Sequence, residues 1–179
     1  MTPFHIVCAS TALTTLLMVV APTGQADTVY QKPEDFIREV FGSDAVSSGK
    51  LWITRELQPE VRRILGHELG ALRVHYWAQG KRTAWILEEV GKDRPITAGI
   101  VVNDSKIEQI RVLIFRETRG WEIRYPFFTD QFTGAGLQPD YELNRHIDGI
   151  SGATLSVHAM VKLAQLALLF HQHSKIPDH

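Results

Sequence analysis

The chain has 179 residues, with 19 Lys and Arg against 20 Asp and Glu, so its formal net charge is −1 at pH 7. That balance excludes a general electrostatic pull towards nucleic acid or an anionic membrane, and the length suits one domain around a single core. The only cysteine, Cys8, lies in an N-terminal apolar segment, so a processed chain holds no disulfide, thiol nucleophile, cysteine-ligated metal or iron–sulfur cluster.

Residues Ile6 to Ala21 form an apolar run rich in Leu, Val, Ala and Thr, shorter than the ~20 residues of a usual membrane-spanning helix. The small-residue ending Gly24-Gln25-Ala26 predicts a signal peptide over 1–26, cleaved before Asp27, and a periplasmic or otherwise exported product. The residues ahead of the run carry no Lys or Arg, which leaves a retained N-terminal membrane anchor as the alternative. His5-Ile6-Val7 before Cys8 is not a lipoprotein context.

The stretch from Lys32 to Gly42 reads as a short helix: Pro33 in the first turn, Glu34 and Asp35 facing the dipole, Gly42 as the stop. Phe36, Ile37, Val40 and Phe41 share one face of it. A similar unit recurs from Pro59 to Gly66, and the Ser-rich segment from Ser43 to Gly49 between them reads as loop. Strands follow. Leu72, Val74 and Tyr76 alternate with Arg73, His75 and Trp77; Thr83–Val90 follows a Gln79-Gly80 turn; and Thr97–Val102 and Ile107–Arg116 flank the turn Asn103-Asp104-Ser105-Lys106. In the last strand, Ile110, Val112 and Ile114 are expected on one face. Beyond it Trp121, Tyr125, Phe127 and Phe128 are expected mostly in the core.

Metal-site patterns are weak. His67-Glu68-Leu69-Gly70 lacks the second histidine of a zinc-protease helix, and His171 and His173 point to different faces of a helix. No nicotinamide-binding glycine fingerprint and no haem attachment motif are present.

The densest chemistry lies in Asp148-Gly149-Ile150-Ser151-Gly152-Ala153-Thr154-Leu155-Ser156, directly ahead of a long apolar helix running from near Ala153 towards Gln172. Asp148 and Gly149 are expected to form a turn, and Gly152 admits a positive φ or a close backbone approach. Ser151, Thr154 and Ser156 place three hydroxyls at the helix start, where unpaired N–H groups and the dipole favour an anion such as phosphate. Taken alone, the pattern reads first as an ordinary helix N-cap. The helix itself, with Met160, Val161, Leu163, Leu166, Ala167, Leu169 and Phe170, is expected to be buried on most sides.

In its order of residues this stretch resembles the flavinylation motif of the FMN-binding domain family, Asp-Gly-x-Ser/Thr-Gly-Ala-Thr-x-Ser/Thr. The family includes peripheral FMN subunits of sodium-pumping NADH:quinone oxidoreductases and of Rnf-type complexes. Two further segments carry the likeness. Glu117-Thr118-Arg119-Gly120 is similar to a Glu-Thr-Pro-Gly element, with Arg119 where proline is common and without the histidine often found shortly before it. Phe128-Thr129-Asp130-Gln131-Phe132-Thr133-Gly134 fits a Phe-x-x-Gln-Phe-x-Gly segment. The resemblance spans roughly residues 95–170. It implies an α+β fold: a single small domain with an antiparallel or mixed sheet, flanking helices and a long C-terminal helix after the flavinylation loop. Residues 27–94 would supply N-terminal helices and strands of that same domain, and 95–179 its FMN-binding core.

The resemblance also implies FMN joined by a phosphoester to Thr154, installed by a transferase that takes FMN from FAD. Asp148 would serve the attachment. Gly149, Ser151, Gly152, Ala153 and Ser156 would shape the loop around the phosphate, and Glu117 and Thr118 would border the isoalloxazine. Arg145 and His146 lie just upstream, within reach of a flavin or merely exposed. The implied role is electron transfer with a membrane-bound redox complex or another carrier as partner, and no nucleic acid. A redox subunit fits this better than a stand-alone enzyme. The alternatives are a flavin-free periplasmic binding or adaptor module and a flavin-dependent reductase of a soluble acceptor.

Overall fold

The computed structural model describes residues 27–42 and 46–174, so the expected signal peptide with Cys8 lies outside the described residues. The strands are β1 (Thr28–Val29), β2 (Ser47–Trp52), β3 (Arg73–Gln79), β4 (Arg82–Val90), β5 (Pro95–Asn103) and β6 (Lys106–Phe115); the helices are α1 (Pro33–Phe41), α2 (Gln58–Leu65), α3 (Pro126–Thr129) and α4 (Thr154–His173). The strands form one antiparallel sheet in the order β1-β6-β5-β4-β3-β2. Together they make the single small α+β domain expected from the sequence.

Local chemistry sets the ends of these elements. Gly42 and Gly66 stop α1 and α2 at positive φ, and their N–H groups donate to Arg38 O and Arg62 O at 2.8 Å. Asp104 and Ser105 both take positive φ between β5 and β6, as a two-residue hairpin turn matched to the strand twist requires.

The sheet buries both faces. One packs on α2 and α4 around Trp85, Ile100, Ile110, Met160, Leu163 and Phe170; the other receives α1, whose Phe36 and Phe41 meet Ala84, Val101 and Leu113. Gly99 in β5 makes room for the Phe36 ring, because a Cβ there would stand 2.6 Å from a ring carbon. By length and composition α4 could cross a membrane, yet it is packed into the core along most of its length. Its Lys162 donates to Leu65 O at 2.6 Å and to the buried carboxylate of Glu89 at 3.2 Å, and His67 meets the same carboxylate at 3.1 Å. The hydrogen bond of His67 to the Glu68 carbonyl, with its contact to Glu89, raises the His67 pKa. Near the other end of α4, His171 is buried against the Thr83 hydroxyl at 2.8 Å, and burial lowers its pKa.

Two expectations need correction. Residues 47–49 are not loop but the start of the edge strand β2, paired with β3 from Ser47 opposite Ala78 to Trp52 opposite Arg73. An edge strand exposed over most of its length needs no apolar alternation, and only Leu51 of β2 is buried. Gly49 lies beneath the Tyr76 ring, where any Cβ would collide. The second correction is Ile114, which does not share a face with Ile110 and Val112. Thr97 pairs with Ile114 and Ala98 with Val112, so Leu113 is the extra residue of a bulge. Leu113 and Ile114 turn to the α1 side, while Val112 and Phe115 keep to the α4 side.

Candidate functional site

The start of α4 opens into a cleft of about 500 Å³ between the 117–119 segment and the first helical turn. Glu117, Thr118, Gly152, Ala153, Thr154 and Ser156 all line it, so the structure joins six of the nine sequence-predicted site residues; Lys92, Arg119 and Leu155 complete the wall. Asp148, Gly149 and Ser151 stand outside the lining, exposed on the approach to the helix.

The approach differs in detail from expectation. The turn falls at Ile150–Ala153, closed by Ala153 N–H to Ile150 O at 3.0 Å, and not at Asp148-Gly149. Gly152 occupies its third position at φ +80°, a conformation that favours glycine. Ala153 is the N-cap and supplies no side-chain hydrogen bond. The first helical bond to the cap is Val157 N–H to Ala153 O at 2.9 Å. Among the described residues, the N–H groups of Thr154, Leu155 and Ser156 therefore donate to no protein acceptor, and Thr154 is exposed beside them. The hydroxyl N-cap that would make the stretch an ordinary helix start is missing.

Glu117 has a definite task. Its Oε1 accepts the backbone N–H groups of Lys92, Asp93 and Arg94 at 2.5, 2.7 and 3.0 Å, gathering the β4–β5 connection into a loop. Gly91 precedes this loop because a Cβ there would sit 2.9 Å from the same oxygen. The clasp carries Lys92 into the cleft wall, a residue that no motif or spacing marks out. Arg116, where the family likeness lacks a histidine, faces away: its guanidinium holds Asp27 at 2.8 Å and the Thr97 hydroxyl at 2.9 Å.

Gly120 presses the 117–120 segment onto the helix. It adopts φ +85°, and a Cβ on it would stand 2.7 Å from Ser156 Oγ and 3.2 Å from Ala153 Cβ. Upstream of the turn, Gln131 accepts the Asp148 N–H at 2.7 Å, and Arg145 donates to Thr133 O at 2.7 Å and Gln131 O at 3.3 Å. His146 and Asp148 are exposed neighbours, 3.7 Å apart.

Of the aromatics expected in the core, only Phe128 is there, edge-on to Phe132 at 5.4 Å. Trp121, Tyr125 and Phe127 lie at the surface, with Phe127 61% exposed. A short 3₁₀ turn and the one-turn α3 cannot bury so many rings. The guanidinium of Arg124 instead stacks among Tyr30, Trp121 and Tyr125, 4.6 to 5.5 Å from the ring centres.

The cleft suits an anion with a bulky body. Three free amides sit at the positive end of a 20-residue helix, two cations flank them, and the one carboxylate in the wall has an oxygen engaged by backbone N–H groups. Residues 91–169 match the family model of the FMN-binding domain, a span from Gly91 beside the Glu117 clasp to Leu169 inside α4. That match supports a flavin-binding protein, and every residue lining the cleft lies inside the matched segment. Over residues 91–169 the chain is similar to the FMN-binding domain family, which supports FMN as the flavin. No curated protein and no solved structure matches the chain.

Proposed function

We propose that the protein carries FMN through a phosphoester on Thr154 and, once exported, passes electrons between a membrane-bound redox complex and a further acceptor. The observation that carries this reading is the exposed Thr154 on the first turn of α4, beside three unpartnered amides and inside the matched segment. The N–H groups of Thr154, Leu155 and Ser156 would hold the phosphate, and Lys92 and Arg119 would offset its charge. Gly149, Ser151, Gly152 and Ala153 keep the loop small. Glu117 and Thr118 border the space left for the ring system, and Ser156 backs it from the buried side. Thr154 is an attachment point and not a catalyst. Asp148, exposed on the approach, would orient the hydroxyl or position the transferase's magnesium, since phosphoryl transfer rests on positioning and charge neutralisation. FMN itself supplies one- and two-electron redox chemistry when bound; the chain supplies attachment, orientation and electrostatics.

Intact mass of the exported protein, made together with an FAD-dependent transferase, tests the reading. The expected result is a gain of FMN less water, colour that stays with the unfolded chain, and loss of both in Thr154→Ala. An unmodified, colourless product despite an active transferase and FAD would overturn it in favour of a flavin-free adaptor.

A further inference from the structure

We infer that Gln131, outside the 148–156 motif, is a positioning residue for the attachment step. The inference rests on the proposed attachment at Thr154. The loop entering the motif is otherwise sparsely held. Ile147 packs into the core, but Asp148, Gly149, Ser151 and Gly152 are exposed, and among the described residues the backbone of 146–149 has one hydrogen bond, Asp148 N–H to Gln131 Oε1 at 2.7 Å. Gln131 is itself immobilised. Its Nε2 donates to Phe127 O at 3.2 Å, and Arg145 caps its carbonyl. Phe128 and Phe132 on either side are fully buried, and the segment is sewn to β6 by Gly134 N–H to Ile107 O at 2.7 Å and Ile107 N–H to Ala135 O at 2.8 Å.

A rigid chain of bonds thus runs from the sheet through Gln131 to the Asp148 backbone. Downstream, the Ile150–Ala153 turn and α4 fix the other end. Gln131 therefore sets the direction in which the Asp148 carboxylate leaves the loop relative to the Thr154 hydroxyl. In the step this serves, a bond forms between Thr154 Oγ and the FMN-side phosphorus of FAD. The bond from that phosphorus to the bridging oxygen breaks, AMP departs with the oxygen, and the hydroxyl proton passes to a base. A loop that wanders presents the same groups in productive geometry less often.

The test is a mass-resolved time course of FMN incorporation into the full unmodified chain by purified transferase and FAD. In Gln131→Leu, the rate at saturating acceptor protein should fall about tenfold with half-saturation within about twofold of wild type, the loss expected when one restraining hydrogen bond goes and docking does not. Gln131→Glu keeps an oxygen for the Asp148 N–H and should recover most of the rate, which a general loss of stability would not predict. Equal rates in wild type and Gln131→Leu, or equally slow Leu and Glu variants with unchanged melting temperatures, would overturn the inference alone. Absence of any mass gain in wild type would overturn the attachment reading along with it.

Discussion

Replacing Gly120 by alanine measures how hard the 117–120 segment is pressed against the start of α4. At φ +85° an alanine carries about 1–2 kcal/mol of backbone strain. Its Cβ would also stand 2.7 Å from Ser156 Oγ and 3.2 Å from Ala153 Cβ. Both neighbours belong to the cap or first turn of a buried helix and cannot withdraw without moving it, which adds about 1–3 kcal/mol of overpacking. Gly152 is the internal control: its φ is +80°, but a Cβ there meets nothing within 4 Å, so Gly152→Ala carries the backbone cost alone. In a domain of this size each kcal/mol lowers the melting temperature by about 2–4 °C. Urea titrations followed by tryptophan fluorescence, with thermal melts alongside, should rank Gly120→Ala below Gly152→Ala by the steric difference. Adding Ser156→Ala removes the nearest atom and should return part of the loss. A Gly120→Ala protein as stable as Gly152→Ala would refute the packing argument.

Other outcomes follow from bonds already described. Glu117→Ala releases three backbone donors and should cost roughly 1–3 kcal/mol, with hydrogen exchange at Lys92, Asp93 and Arg94 accelerating together; Glu117→Gln, which keeps the acceptor, should exchange more slowly than Ala. Lys162→Met leaves the buried Glu89 carboxylate with only half-exposed His67, and chemical denaturation should show a loss of about 2–3 kcal/mol. Because burial lowers the His171 pKa, its contribution to stability is full above the unfolded value of ~6.5 and is lost as pH falls from there; urea midpoints should drop between about pH 7.5 and about pH 5.5, and less so in His171→Gln. His67, with a raised pKa, acts oppositely: its contribution is full below the unfolded value and fades as pH rises through the folded one, so His67→Gln should flatten that arm.

The sequence spoke clearly where one residue's side chain decides local structure. Pro33 with Gly42, Pro59 with Gly66, the apolar alternation in β3 and the turns beside β4 and β5 marked elements that the structure reproduces within a residue or two. It was silent where the decisive partner is a backbone atom or a neighbouring strand. Ser47-Ser48-Gly49-Lys50 shows no strand pattern because an edge strand owes its shape to the strand it pairs with. In Val112-Leu113-Ile114-Phe115 every residue is apolar, so a one-residue shift at the bulge leaves no trace in the pattern. The motif likeness drew Glu117 towards the cleft, but its bonds go to amides 23 to 25 residues upstream, and no side chain announces a free N–H. Lys92 was missed for that reason. Gln131 reaches the Asp148 amide by the same kind of bond.

The burial of α4 has a consequence for how the domain breathes. Its residues from Ala159 to Phe170 are mostly buried, so their amides are expected to exchange only through large-scale opening, whereas the amides of Gly149 to Gly152 and of Thr154 to Ser156 have no protein acceptor among the described residues and exchange through local fluctuation. The frontier between these regimes runs through the first turn, at Thr154. A modifying enzyme could thus engage the loop without disturbing the core, while anything fixed to Thr154 would stand at the border of the part of the domain that opens last.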